Sequence, residues 1–144
     1  MLSRLRPLLL VLLVLAPAAC NPHPFPLDPP DILGISVPIP PPSLTLAPVQ
    51  AVDIDGDLGL ADPVPETLVY LYEHRSDKGY FVFADDAGAF TFNELELDLS
   101  NNCMQVWFEE PGEDGQRSED GFLRATIAAD DQSVEVEKLS LGCG

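Results

Sequence analysis

The chain has 144 residues, which favours a single domain, and it carries 24 Asp and Glu against seven Lys and Arg, a net charge of −17. This charge argues against binding to nucleic acid or to anionic lipid headgroups, because both would repel the chain. It is compatible with a strongly solvated surface and with cationic or divalent partners.

Residues 1–19 have the three parts of a secretory signal: Arg4 and Arg6, an apolar run over 8–15, and small residues over 16–19. The apolar run is too short to span a bilayer, which takes about 20 apolar residues. The leader contains two of the basic residues and none of the acidic ones, so its removal leaves five against 24 and a net charge of −19. The sequence therefore predicts an exported protein.

Cys20 directly follows the pair Ala18-Ala19, and this arrangement resembles the lipobox of bacterial lipoproteins. The resemblance implies diacylglycerol on the Cys20 thiol, cleavage before it, and a further acyl chain, such as palmitate, on the new amino group. Several acyl chains together make a stable anchor, so the lipid bilayer is the first expected partner. Because Asn21 is not the Asp that retains such proteins in the inner membrane, the resemblance points to the outer membrane, facing the periplasm or the cell surface. The alternative is an ordinary signal peptide with an incidental cysteine.

Residues 20–49 contain the cysteine and ten prolines. Proline at this density disfavours helices and sheet ladders and favours extended polyproline II. We expect this segment to be a semi-rigid tether that carries the domain away from the membrane. The alternation of Leu33, Ile35, Val37 and Ile39 leaves a second interpretation open, a short edge strand docked on the domain, since proline is tolerated at sheet edges.

From residue 50 to residue 144, short runs rich in aromatic and β-branched residues alternate with turns of Gly, Asp and Asn. About seven strands at this spacing predict an all-β fold, either an antiparallel β-sandwich of the immunoglobulin-like kind or a barrel, without a sizeable helix. Alternation within the strands predicts that one face of each is buried. The expected core residues are Val69, Leu71, Phe90, Phe92, Val106, Phe108, Leu123, Ala125, Ile127, Val134 and Val136.

Two stretches carry a more specific resemblance. Pro63 and Pro65 precede the hydrophobic run 67–72, and the turn 85–88 leads into Phe90-Thr91-Phe92 and then Leu95. Over residues 51–109 this order is similar to the carboxypeptidase regulatory-like domain, a prealbumin-like β-sandwich. That family is mostly non-catalytic, so the resemblance implies an accessory or spacer role, and the fold alone does not give the function.

Cys103 and Cys143 form an even pair in an oxidising compartment once Cys20 is assigned to lipid. A disulfide between them is the natural expectation, and it would stabilise a small domain with a thin core. The alternatives are two free thiols or a metal site. A metal site would need further Cys or His residues nearby, and the sequence offers none.

Catalysis requires a positioned nucleophile, base or metal, and candidates are few. His23 lies among the prolines, and His74 lies at a strand end near Ser76 and Asp77, where proximity in sequence does not make a triad. We predict that the protein is not an enzyme and that it uses no cofactor apart from the lipid on Cys20.

Four carboxylates form the first candidate binding site. Asp53, Asp55 and Asp57 alternate along the chain, with Asp62 nearby, and carboxylate oxygens are the ligands that calcium prefers. The spacing does not match an EF-hand loop. The alternative interpretation is a strand end followed by a solvated turn.

Three aromatic residues form the second candidate. Tyr70 and Tyr72 fall on the strand face opposite Val69 and Leu71, and Trp107 alternates in the same way with its neighbours. Exposed aromatic rings stack on sugars or anchor protein partners. The alternative is that they pack against the tether or a second sheet.

Taken together, these patterns predict a non-enzymatic, membrane-anchored module that presents an acidic β-sandwich in the cell envelope, with a structural or protein-interaction role. The alternative function is a ligand-binding domain for carbohydrate or calcium. The expected partner is an envelope protein or a glycan and not nucleic acid. Exposure of Tyr70, Tyr72 and Trp107 on one flat face would favour binding, whereas their burial would favour a spacer.

Overall fold

The computed structural model describes residues 27–37, 48–129 and 133–144, which form eight β-strands. Within these ranges no helix is long and apolar enough to span a membrane. The strands are β1 (Asp31–Ser36), β2 (Val49–Asp57), β3 (Leu68–Glu73), β4 (Lys78–Phe83), β5 (Ala89–Asp98), β6 (Met104–Glu109), β7 (Gly121–Ile127) and β8 (Val134–Lys138). The predicted leader and Cys20 lie outside the described residues.

The strands form two sheets in which every paired neighbour is antiparallel. A three-stranded sheet has the order β1-β2-β5, and a five-stranded sheet has the order β4-β3-β6-β7-β8. Their inner faces pack together around one apolar core. The predicted antiparallel β-sandwich is therefore confirmed, with one strand more than the predicted seven.

The core follows from strand alternation, because each strand turns every second side chain inward. Most of the expected core residues are buried: Val69, Leu71, Phe90, Phe92, Val106, Phe108, Leu123 and Ala125. Ile127, Val134 and Val136 are only partly buried, since they pack at the rim of the core near the edge strand β8. The core also includes residues that the pattern did not single out, among them Val52, Ile54, Leu95, Leu97 and Met104.

The additional strand, β1, lies inside the proline-rich range 20–49. Residues 31–36 pair with β2 at the edge of the sheet, which agrees with the edge-strand alternative. Ile35 reaches the core, but Leu33 does not share its face, because the register shifts between Ile32 and Gly34 and Leu33 is 71% exposed. Just before β1, Leu27 forms a parallel bridge with Ser118, and its carbonyl accepts the N–H of Glu119 at 2.7 Å. The folded part of the chain therefore includes residues that precede position 50.

A disulfide joins the two ends of the last third of the chain. Cys103 and Cys143 are bonded, with their Cα atoms 5.7 Å apart and a sequence separation of 40 residues. Cys103 is fully buried at the start of β6, so the bond fixes the turn after β8 to the core. The predicted disulfide is confirmed.

We predict that Cys143→Ser destabilises the domain by about 4 kcal/mol, because the unfolded chain regains the entropy of an open 40-residue loop. The melting temperature should fall by on the order of 20 °C, measured by circular dichroism. Reducing agent should lower the wild-type melting temperature by a similar amount and leave the variant unchanged. Equal melting temperatures of variant and oxidised wild type would contradict the prediction.

Candidate functional site

The three aromatic residues singled out from the sequence lie on one outer face of the five-stranded sheet. In β3 the buried positions are Val69, Leu71 and Glu73, so Tyr70 and Tyr72 point outward, where both are half-buried. Trp107 of β6 is directly opposite Tyr70 and is also half-buried. The predicted orientation of these residues is therefore confirmed.

Two phenylalanines extend this surface to the edge of the sheet. Phe81 pairs with Tyr70 and Phe83 pairs with Leu68, and the two rings are 64% and 61% exposed. Sequence reasoning missed them because residues 80–83 are all apolar, so no alternation shows which side is buried. We call the outward-facing group the aromatic face; its residues are Tyr70, Tyr72, Phe81, Phe83 and Trp107.

The rings of the aromatic face are stacked on one another across the strands. Tyr70 and Trp107 are nearly parallel, at 9°, with centroids 5.2 Å apart, and Phe81 lies tilted against Tyr70 at 6.5 Å. The guanidinium of Arg117 lies 5.1 Å from the Trp107 ring centroid. Because β3 and the segment of Arg117 flank β6 from opposite sides, both faces of the indole are covered. Trp107 therefore offers no free ring face for stacking on a sugar.

Carboxylates hold Arg117 over the indole. Its guanidinium lies 3.8 Å from Glu109 and 2.5 Å from Asp120, and the Trp107 indole N–H donates to Glu109 at 3.2 Å. This part of the surface thus already accommodates a guanidinium between an aromatic ring and acidic groups, the chemistry by which arginine is commonly recognised.

His74 and Asp77 both contact Tyr72. The Tyr72 hydroxyl donates to Asp77, and this hydrogen bond raises the pKa of the phenol, with smaller contributions from burial and nearby negative charge. The His74 ring lies edge-on to Tyr72, and its Nε2 lies 3.0 Å from Oε1 of Gln105. These contacts place His74 in a surface cluster of side chains.

The alternating aspartates lie on the outer face of the three-stranded sheet and bind neighbouring groups. Asp53 accepts the N–H of Glu94, Asp55 accepts the Thr91 hydroxyl, and Asp57 accepts the N–H of Gly59, each at 2.7 Å. Among the described residues, no group of three or more His, Cys, Asp or Glu is arranged to hold a metal ion. The structure therefore does not assemble these aspartates, with Asp62, into a ligand set.

Asp53 has a specific structural role in this sheet. The register of β2 and β5 shifts between Val52 and Ile54, so that two residues of β5, Asn93 and Glu94, lie opposite Asp53. Glu94 adopts a left-handed conformation with φ 53°, and the Asp53 carboxylate accepts its N–H. Asp53 thus stabilises a β-bulge in the edge strand β5.

A buried carboxylate, Glu73, ties β3 to β6. It is only 4% exposed and accepts backbone N–H groups from Arg75 at 3.0 Å, Ser76 at 2.5 Å and Cys103 at 3.0 Å. Burial raises the pKa of this carboxyl, but the hydrogen bonds from Ser76, Cys103 and Arg75 together lower it by more, and the resulting pKa is below the ordinary value. Alternation with Val69 and Leu71 is the sequence signal that could have identified Glu73 as inward-facing.

Comparison with known proteins gives no match: no family model, no curated protein and no solved structure is significantly similar to this chain. The resemblance to the carboxypeptidase regulatory-like domain, and that of residues 18–20 to a lipobox, therefore stay predictions from the sequence.

We predict that Glu73→Gln destabilises the domain by about 1–3 kcal/mol at pH 7. In the wild type the backbone N–H groups donate to carboxylate oxygens, whereas glutamine would replace one of these acceptors with an amide NH2 group, which is a donor. Since the folded-state pKa is lowered, this stabilisation is present above the unfolded pKa of about 4.3 and is lost as the pH falls through the folded value. Urea unfolding at several pH values should show the difference from wild type shrinking below about pH 4.

The matched control is Glu135→Gln, which neutralises an exposed carboxylate of β8 and should change the free energy of unfolding little. If Glu73→Gln is as stable as Glu135→Gln at pH 7, the carboxylate does not have the role described.

Proposed function

We propose that this protein is a non-enzymatic lipoprotein of the cell envelope, anchored through Cys20, that binds another protein through the aromatic face. The observation that carries the proposal is the exposure of Phe81 and Phe83, at 64% and 61%, beside the stacked Tyr70 and Trp107. Contiguous exposed apolar surface of this kind is typical of protein interaction sites, and aromatic residues are enriched among the residues that dominate binding energy.

The geometry favours a protein partner over a glycan. Sugar recognition by stacking uses a free aromatic ring face and nearby hydrogen-bonding groups. Both faces of Trp107 are covered, and the two most exposed rings, Phe81 and Phe83, have no polar atoms on their side chains. The engagement of Asp53, Asp55 and Asp57 with neighbouring groups likewise gives no support to calcium binding as the main role.

The charge of the chain indicates what kind of protein fits. Of the five basic residues that follow the leader, Lys78, Arg117 and Lys138 already pair with acidic groups. The unbalanced charge is therefore strongly negative. A partner with a basic surface around an apolar centre would complement it and would associate faster for that reason.

The anchor rests on residues 1–20, whose order of basic, apolar and small residues ends at Cys20. This order of residues supports delivery to an oxidising compartment, and the Cys103–Cys143 disulfide is the kind of bond that persists there. An exported, tethered module is consistent with an interaction role.

We predict that Cys20→Ser releases the protein from the membrane fraction or leaves it as an unprocessed precursor, because serine lacks the thiol that accepts diacylglycerol. Fractionation followed by mass spectrometry of the intact protein would measure both outcomes. Wild type should carry the mass of acyl chains on a chain that begins at residue 20. A wild-type protein that keeps its leader and carries no acyl chain would exclude the anchor.

A photo-crosslinking amino acid at position 81 should give a discrete adduct in intact cells, because Phe81 projects from the proposed binding surface. The same probe at position 33 is the matched control, since Leu33 is 71% exposed on the other sheet. Phe83→Glu, combined with the probe at 81, should abolish the adduct by placing a charge in the contact. Absence of an adduct at 81, or equal adducts at 81 and 33, would count against the aromatic face as the binding surface.

A further inference from the structure

The four edge strands of the sandwich differ in how they are protected against pairing with another chain. β1 and β5 are the edges of the three-stranded sheet, and β4 and β8 are those of the five-stranded sheet. An edge strand presents unpaired N–H and C=O groups, and proteins usually protect it with bulges, charges, prolines or short length.

Three of these edges carry such protection. β1 has an irregularity between Ile32 and Gly34, and β5 has the bulge at Asn93 and Glu94. β8 has only five residues, including two exposed glutamates at 135 and 137. Each of these edges is therefore a poor template for a further strand.

β4 is less protected than the other three edges. Its six residues pair with β3 without a register shift, and the sequence Lys-Gly-Tyr-Phe-Val-Phe contains neither proline nor an acidic residue. Its one charged residue, Lys78, lies at the first position and is 3.7 Å from Glu96. The remainder presents Phe81 and Phe83 to solvent.

The backbone of β4 offers a regular row of hydrogen-bonding groups. The N–H of Ala84 donates to the carbonyl of Thr67 at 3.0 Å. The even-numbered residues of β4 therefore direct their backbone N–H and C=O groups towards β3. In an antiparallel pair the backbone groups of the residues in between point away from the partner strand. Gly79, Phe81 and Phe83 therefore direct their N–H and C=O groups outward, where no strand of the described residues pairs with them.

A groove lies along this free edge, in the gap between β4 and β5. Its volume is about 320 Å³, and its lining is mostly apolar; the residues are Gly79, Tyr80, Phe81, Val82, Phe92, Asn93 and Leu95. The turn after β4 carries two exposed acidic residues, Asp85 and Asp86, whereas the turn before it contains both Arg75 and Asp77 and leads into Lys78. The slot is thus apolar along its length and negative at the end that leads to Asp85.

We propose that β4 accepts an extended segment of a partner protein as an additional strand, one whose central residues are apolar and which carries Lys or Arg at the end that meets Asp85 and Asp86. The outward backbone groups of β4 would supply the main-chain hydrogen bonds, as in β-strand addition generally. One side of the added strand would cover the groove, and the other would extend the aromatic face beside Phe81 and Phe83. The basic end would meet Asp85 and Asp86.

Charge favours this occupant over a second copy of the chain. Two copies would each carry a net charge of −17 or, without the leader, −19, and this repulsion opposes pairing. The inference rests on the proposed interaction role, which it deepens by naming the chemistry of the partner segment.

The test uses the protein purified from cells that express the full chain, with a fluorescent peptide Lys-Lys-Val-Thr-Val-Thr-Val-Lys-Lys as the probe. Fluorescence anisotropy should show saturable binding. Binding should weaken about tenfold or more when the four lysines are replaced by glutamates, which reverses the flanking charge. It should weaken by a similar factor when the central valine is replaced by proline, which removes a strand-forming N–H.

The protein variant Phe81→Pro removes one outward N–H and spares the hydrogen bonds to β3, so an edge strand tolerates it. We expect it to lose about tenfold or more in peptide affinity and to keep its melting temperature within a few degrees. The control Leu33→Pro changes an equally exposed residue of the other sheet and should leave affinity unchanged wherever it folds. Independently of any variant, peptide binding should slow hydrogen exchange of the Gly79, Phe81 and Phe83 amides in the wild type.

Three results would overturn the proposal. They are no binding of the basic peptide, protection confined to amides outside β4, or self-association of the protein alone that Phe81→Pro abolishes, which would assign the edge to a second copy. A different outcome would separate the two proposals: the peptide does not bind, but the probe at position 81 still gives a crosslink in cells that Phe83→Glu prevents. In that case strand addition is rejected and the proposed protein-binding function is retained.

Discussion

Burial of one face of each sheet against the other is the constraint on which the arrangement of this small domain depends. Val52 and Ile54 of the three-stranded sheet and Val69 and Phe108 of the five-stranded sheet are completely buried between the layers. Because side chains alternate along a strand, turning these residues inward fixes which residues point outward. The disulfide and the buried Glu73 carboxylate then hold the end of the core where β3, β6 and the C-terminal turn meet.

The same constraint gives the domain two chemically different outer surfaces. On the three-stranded sheet three outward positions of β2 are aspartates, which bind neighbouring backbone and hydroxyl groups. On the five-stranded sheet the outward positions of β3, β4 and β6 are largely aromatic. The aspartates of β2 and the exposed aromatic rings therefore lie on opposite sides of one sandwich.

Alternation along the strands and the number of cysteines were sufficient to predict several features of this structure. The sandwich class and the outward direction of Tyr70, Tyr72 and Trp107 follow from spacing, and the Cys103–Cys143 bond agrees with the even pair of cysteines that remains after Cys20. What the sequence could not give is strand order, because β3 lies between β4 and the distant β6 through non-local pairing. Without that order, nothing indicated that β4 is an edge or that the aspartate oxygens already have partners.

The contact between Leu27 and the segment at Ser118 and Glu119 also limits how far the sandwich extends from a lipid anchor. Only six residues separate Cys20 from Leu27, and a chain of this length spans at most about 25 Å even when fully drawn out. With lipid on Cys20, the linker keeps the domain within this distance of the bilayer that holds the anchor. Molecules embedded in or lying on that membrane are then within its reach, and structures on the far side of the envelope are not.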